Sequence, residues 1–237
     1  MAVSVASVID RVQVTLQDTT GIRWPETSEL ILWVNDAQRE IALLKPDASA
    51  TNDTITLVTG TKQSIPSAGN RLLRVVRNMS AASGGTGKRS IRLVSREILD
   101  AQTPDWHDPT VSGDAAHGSV VKHYMYDEQD PRNFYVYPGV SGSAYIEIVY
   151  SSNPTTVTAS DGLSIPDLYA NAVMNYVLYM AYMKDAEYAG NSQRAANHFQ
   201  LFTASVTGKA QVDLITTPNA ESLSNPNLTA GGQMMAQ

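Results

Sequence analysis

Side chains able to do acid–base, nucleophilic or ligand chemistry are few in this chain and widely scattered. Among its 237 residues there is no cysteine, and the four histidines are His107, His117, His123 and His198. Without cysteine there is no thiolate nucleophile, no thiolate metal site and no disulfide framework. One stretch gathers histidines and carboxylates: Asp105-Trp106-His107-Asp108, followed by Asp114 and His117. Imidazole and carboxylate are ligands that zinc accepts. Their spacing matches no metal-site pattern, and the segment is rich in proline and glycine, so the expectation is a solvated loop. His123 alternates within a strand pattern and is expected on an outward face.

The stretch Ser83-Gly84-Gly85-Thr86-Gly87-Lys88 has the glycines and lysine of a phosphate loop. A Walker motif also needs glycine five residues before the final glycine, and serine or threonine after the lysine. Those positions hold Ala82 and Arg89, and no helical pattern follows to supply a dipole. A flexible hairpin tip carrying Lys88 and Arg89 is the reading. Asp127, Glu128 and Asp130 form an acidic turn. Calcium loops place such residues at alternate positions, but three carboxylates in a hairpin turn are expected to be solvated. Glu147 has no second carboxylate for glycoside hydrolysis, and no serine stands in a nucleophile elbow. No catalytic, metal or cofactor site assembles from these residues, and the expectation is no enzyme and no cofactor.

The elements that would position them divide by period. Val5, Val8, Ile9, Val12 and Leu16 follow helical spacing, and so do Leu30, Val34, Ala37, Ile41 and Leu44. Trp24-Pro25-Glu26 opens the second helix, where proline and carboxylates suit a first turn. From Asp53 the period becomes two. Residues 54–58 and 62–65 read as short strands around Thr59-Gly60, followed by strands at 72–79, 90–94, 120–126, 134–137 and 144–150. Residues 95–101 read as one helical turn. The chain is organised around residues 165–184, with Leu168, Ala172, Tyr176 and Met180 on one row, Val173, Val177 and Met180 to Met183 widening it, and no charge between Leu168 and Met183. Asn171 and Asn175 interrupt the apolar run and it is too short to span a bilayer, so it reads as a buried bundle helix. A further helix is expected at 186–207, bent or broken at Gly190-Asn191, with Ala195, Phe199, Phe202 and Val206 inward. The fold class is α+β: a helical bundle from the N- and C-terminal helices, an inserted antiparallel β domain and an extended C-terminal tail. The expected divisions are 1–50, 51–164, 165–209 and 210–237.

Composition narrows the function. Apolar residues make up 43% of the chain, enough for a substantial core. The net charge is −6, which argues against a dedicated nucleic-acid grip but allows DNA to pass a repelling surface. The N-terminus lacks the basic region of a signal peptide, and no membrane segment is expected. Tyrosine is abundant on the strands and on the organising helix. Tyr179 and Tyr182 point away from the Leu168 row of a helix that is apolar nearly all round. Such a helix needs burial on a second side, and a neighbouring subunit is the expected cover.

Several short motifs carry a resemblance. Trp24-Pro25, Glu29-Leu30 and Trp33-Val34-Asn35-Asp36-Ala37-Gln38-Arg39-Glu40-Ile41 resemble the opening of tailed-phage head-to-tail connector proteins, the portal adaptors of the tail tubular protein A type. Tyr126-Asp127, Asp130-Pro131, Phe134-Tyr135-Val136-Tyr137-Pro138 and Ile148-Val149-Tyr150-Ser151 with Pro154 resemble that family's β region. Ile165-Pro166-Asp167 and the tyrosine-rich helix resemble its C-terminal bundle. The likeness spans residues 3–207. It implies a structural virion protein at the head–tail junction, made in the host cytoplasm and forming a ring, usually of twelve copies, between portal protein and tail nozzle protein. DNA would pass through without specific binding. The family's C-terminal segment embraces the portal, which makes Val212, Leu214, Ile215, Leu223 and Leu228 candidate anchors. The competing readings are a surface- or carbohydrate-binding tail component using the aromatic strands, and a tail-associated hydrolase.

Overall fold

The computed structural model describes residues 3–188 and 190–216. Residues 1–45 with those from 156 onward form one compact unit, and 46–155 form a second.

The first unit is helical. Helix α1 (Val5–Leu16) is capped by Ser4, whose hydroxyl accepts from Ser7 N at 3.2 Å. Val5, Val8, Ile9 and Val12 are its buried stripe. A single π-helical turn, Glu26–Leu30, leads into α2 (Ile31–Leu44). Leu30, Val34, Ala37 and Ile41 are fully buried as their spacing predicts, but Leu44 is 47% exposed. The stripe ends one turn early because Lys45 leaves the helix in an extended conformation.

Helix α4 is set here as Ala170–Lys184, and the last helix, α5, as Asn191–Thr216. The chain breaks between them at Gly190, as the Gly-Asn pair predicts. The buried stripe of α4 keeps the expected Ala172, Val173 and Val177 but not Leu168. Leu168 is 73% exposed, and Tyr169, Val173, Val177 and Ala181 are buried. A tight 3-10 turn at Asp167–Tyr169 precedes the helix and leaves Leu168 outside it. Helix α5 runs beyond the predicted end at residue 207, into the segment expected as tail. Ala195, Phe202 and Val206 are buried, whereas Phe199 is 42% exposed.

Two buried polar residues fasten the 157–164 segment to α2. Asn35 donates to Val157 O at 3.0 Å and accepts from Val157 N at 2.8 Å, as a neighbouring strand would. Gln38 Oε1 accepts from Ser164 N at 2.7 Å and from its hydroxyl at 2.9 Å.

The second unit contains eight strands and one helix: β1 (Ala50–Thr56), β2 (Gly60–Ser64), β3 (Gly69–Met79), β4 (Gly87–Ser90), β5 (Arg92–Leu93), α3 (Arg96–Gln102), β6 (His123–Tyr126), β7 (Asn133–Val140) and β8 (Tyr145–Ser152). They form two four-stranded sheets, ordered β1-β8-β3-β4 and β2-β7-β6-β5. All pairings are antiparallel except β5 with β6. The strands flanking Thr59-Gly60 do not form a hairpin. β1 joins one sheet and β2 the other, and Gly60 makes the crossing at φ +106°, where a side chain would be strained.

The two sheets share a core of Leu72, Val75, Ile146, Ile148 and Tyr150 against Tyr124, Phe134, Val136 and Val140. Strand β3 does not alternate by two. Its register slips three times, so Leu72, Val75 and Asn78 are buried and Arg71, Arg74 and Arg77 are all exposed. The outer face of the second sheet carries a smaller core of Leu99, Trp106, Ala115, Met125 and Tyr137. Among the described residues no helix is long and apolar enough to cross a membrane.

Candidate functional site

The histidine- and carboxylate-bearing loop is solvated as expected at Asp105, His107, Asp108 and Asp114, which are exposed, and it is held down by a buried indole. Trp106 is fully buried at the centre of the smaller core. Its ring stacks on His107 at 3.6 Å and meets Tyr135 and Tyr137 edge-on. Its indole Nε1 donates to Asp100 Oδ1 at 2.8 Å. His107 Nδ1 pairs with the Thr61 hydroxyl at 2.7 Å, and burial lowers its pKa. His117 Nε2 lies 3.3 Å from Trp106 O. The histidines are therefore spent on packing. Loop composition concealed this, because the indole that organises the segment sits among proline, glycine and aspartate. Among the described residues no group of histidines and carboxylates could hold a metal ion.

The other singled-out carboxylates are also structural. Glu147 accepts from Asn52 Nδ2 at 2.9 Å and from Arg77 Nε at 2.5 Å, and these hydrogen bonds lower its pKa. Asp127 accepts from Gln129 N, and Asp130 accepts from Asn133 Nδ2, so both shape the turn they occupy. The Ser83–Lys88 stretch lies in the connection between β3 and β4, where Ser80 Oγ accepts from Thr86 N at 2.7 Å. These groups converge on no common point, so they offer no acid–base pair, nucleophile or metal centre.

Tyr179 and Tyr182 find their second side within the chain. Helices α4 and α5 are joined by a row of rings: Tyr176 on Phe202 at 5.2 Å, Tyr179 on Phe199 at 5.0 Å and Tyr182 stacked on His198 at 5.6 Å. Arg194 lies over the Tyr182 ring at 5.8 Å. His198 Nδ1 pairs with Asn175 Oδ1 at 3.0 Å, and burial holds its pKa below the ordinary histidine range. Both tyrosines remain partly exposed beside the outward-facing Phe199 and Leu201.

Of the five predicted anchors, Val212 is 55% exposed on α5. Leu214 and Ile215 belong to the backbone of its last turns, while Leu223 and Leu228 lie outside the described residues. Next to Val212, Asp213 accepts from Lys209 at 2.9 Å and pairs with Lys45, and these bonds lower its pKa.

Two clefts lie in the β unit among the described residues and differ in size. The larger, about 670 Å³, lies between Leu93, α3 and the acidic turn and is lined by Tyr126, Tyr135, Glu97 and Asp100. Arg96 covers the Tyr135 ring at 5.3 Å, which removes a stacking face a sugar would need. The smaller, about 170 Å³, is lined by Arg89, Ser90, Arg92, Lys122 and His123. His123 is half-buried and stacks on Tyr137 at 6.2 Å, on the outer face of the second sheet as its alternation predicts.

Sequence reasoning missed the polar residues that hold these surfaces in place. Asn35, Gln38 and Asn78 are all buried. Their signal was positional: each falls on or beside the buried row of its element, where a polar side chain must be satisfied.

The family model described as SU10 adaptor protein matches residues 3–222 of the chain. No curated protein matches it.

Proposed function

The chain belongs to the SU10 adaptor protein family, and from that premise we propose that it is the ring-forming adaptor that joins the portal to the tail nozzle and lines the DNA exit channel. Membership makes it a phage structural adaptor protein, a virion component that interacts with other head or tail proteins. The finer reading rests chiefly on the apolar surface of the helical unit. Leu168, Met183, Phe199 and Leu201 are 73%, 47%, 42% and 54% exposed on or next to α4 and α5. Large apolar side chains exposed along two adjoining helices suit contact surfaces. In a ring each subunit offers two different faces to its neighbours. The partly exposed rings of Tyr179 and Tyr182 would contribute to one of them, in a ring of twelve copies.

The portal contact falls to the end of the chain, with Val212, Leu214, Ile215, Leu223 and Leu228 as anchors. The helical unit holds twelve acidic against seven basic side chains. That balance supports a lumen that repels phosphates and lets duplex DNA slide to the exit at the head–tail junction.

Electron microscopy of the purified protein, alone and with its cognate portal, tests the reading, with mass measured in parallel. Rings on mixing with portal are the expected result; monomers in both samples would overturn it. The truncation that tests the portal contact begins at residue 217, because Asp213 pairs with Lys45 and belongs to the fold. Its loss of portal binding with an unchanged circular dichroism spectrum is expected, and unchanged binding would remove the anchor role of Leu223 and Leu228.

A further inference from the structure

The small cleft of the β unit gathers four nitrogen-bearing side chains on a fixed backbone. Arg89 is on β4, Arg92 on β5, Lys122 precedes β6 and His123 begins it. β4 belongs to one sheet, and β5 and β6 to the other. Asn78, only 2% exposed, ties them together. Its Nδ2 donates to Arg89 O at 2.9 Å and to Val121 O at 2.7 Å, and its Oδ1 accepts from Val121 N at 2.8 Å. Arg92 N donates to Lys122 O at 3.3 Å, and Arg92 is the register partner of His123. Such buried, satisfied bonds hold a site in its working geometry before a ligand arrives.

The charge of this cleft is unanswered. No carboxylate lines it. Arg89 and Arg92 make no ion pair among the described residues. The nearest carboxylate to Lys122 is that of Asp114, at 3.7 Å with its side chain fully exposed, where pairing is weak. In sequence, seven cations stand from Arg71 to Arg96 without one acidic residue, in a chain of net charge −6. Like charges held together are unfavourable unless something of opposite sign joins them. The His123 ring registers the crowding. Burial, then Arg89, Arg92 and Lys122, hold its pKa below the ordinary histidine range, and its Nδ1 is buried without a hydrogen-bond partner.

We propose that Arg89, Arg92, Lys122 and His123 form a binding site for a phosphate oxyanion, carried either by free phosphate or by the backbone of duplex DNA. Two guanidinium groups and an ammonium group supply charge-assisted hydrogen bonds to a tetrahedral anion. The volume admits a phosphate group, and the lining offers no aromatic ring besides that of His123. Contact of this kind fixes position on a duplex and carries no sequence preference. The inference rests on the cleft alone, so it stands or falls apart from ring formation and portal binding.

Histidine resonances of the full chain provide the test, followed by NMR while inorganic phosphate or a mixed-sequence DNA duplex is added at low salt. Binding is expected to shift the His123 ring signals and raise their titration midpoint, leaving His198 unmoved. The variant R89A/R92A/K122A should bind at least about tenfold more weakly. If duplex DNA is the source, it should also flatten the dependence of binding on log salt by about 2 to 3, near 0.9 per lost phosphate contact. A response to both probes, or to duplex alone, assigns the site to the DNA backbone. A response to phosphate alone assigns it to the free anion and excludes DNA. No response of His123 to either probe would overturn the proposal, as would undiminished binding by the triple variant. The single change Arg92→Gln, at an exposed position, gives the same reading in a more conservative background.

Discussion

The helical unit and the β unit both pair cations with carboxylates, but the β unit also sets two guanidinium groups, unpaired among the described residues, together in one cleft. In the first, Arg23 pairs with Asp185, Arg39 with Asp36, Lys45 and Lys209 with Asp213, and Lys184 with Glu29. Arg194 lies on an aromatic ring. In the second, Lys62, Arg77, Arg96 and Lys122 have acidic partners, whereas Arg89 and Arg92 stand in a cleft with none. Paired charges of the helical unit close its own fold: Lys184 with Glu29, and Arg23 with Asp185, link residues far apart in the chain. Unpaired ones do nothing for the fold that holds them. The difference separates charge kept for internal use from charge turned toward something outside.

The largest test of that separation is a core change confined to one unit. Trp106→Ala should destabilise the β unit by about 3–5 kcal/mol, the usual cost of emptying a fully buried indole site. Urea unfolding would measure it, and the helical signal near 222 nm should keep its native amplitude. Next come the matched pins Asn35→Ala and Asn78→Ala. Each strands backbone groups that the asparagine now satisfies, at about 1–3 kcal/mol apiece. Equal costs would show that both units depend on polar pins alike and differ only in their surface charge.

A third test is pH. His198 in the helical unit, and His107 and His123 in the β unit, have folded pKa values below the ordinary one near 6.5. The unfolded chain therefore binds protons first. Their stabilisation is complete above about pH 6.5 and is lost as pH falls toward the folded values. Urea midpoints at pH 7.5, 6 and 5 should fall in that order, and inorganic phosphate should recover the His123 share alone. The smallest effects distinguish the units by sign. Arg39→Ala, which breaks an exposed pair, should cost under about 0.5 kcal/mol. Arg92→Ala removes an unpaired cation and should raise the urea midpoint slightly or leave it unchanged.

The helices were legible because an apolar stripe at helical spacing has few other uses. Val5, Val8, Ile9 and Val12 show this, as do Leu30, Val34, Ala37 and Ile41. The stripe of α4 was legible in Ala172, Val173 and Val177, but its start was not, since the 3-10 turn before it exposes Leu168 and buries Tyr169. Strand existence was readable but pairing was not: β1 and β2 are neighbours in sequence and belong to different sheets. In β3 the slips of register replaced a period of two by one of three, which local alternation cannot foresee. Of the candidate sites, the aromatic helix face was visible as a row of tyrosines, but the helix that covers Tyr179 and Tyr182 was not placed against it. The cationic cleft draws on residues 89 to 123 and needs the fold to bring them together. Its only trace in the sequence was the run from Arg71 to Arg96 without a carboxylate.

The strands at the two ends of the β unit are partners. Ala50 faces Ser151 across an antiparallel pair, so the chain enters and leaves through adjacent positions. Antiparallel Cα partners stand only about 5 Å apart. To the helical unit, then, this eight-stranded body is one long surface loop with its ends already together. Loop length adds little to the cost of closure. The β unit is in this sense a cassette: lengthening it adds little to the closure cost that residues 1–45 and 156 onward must meet.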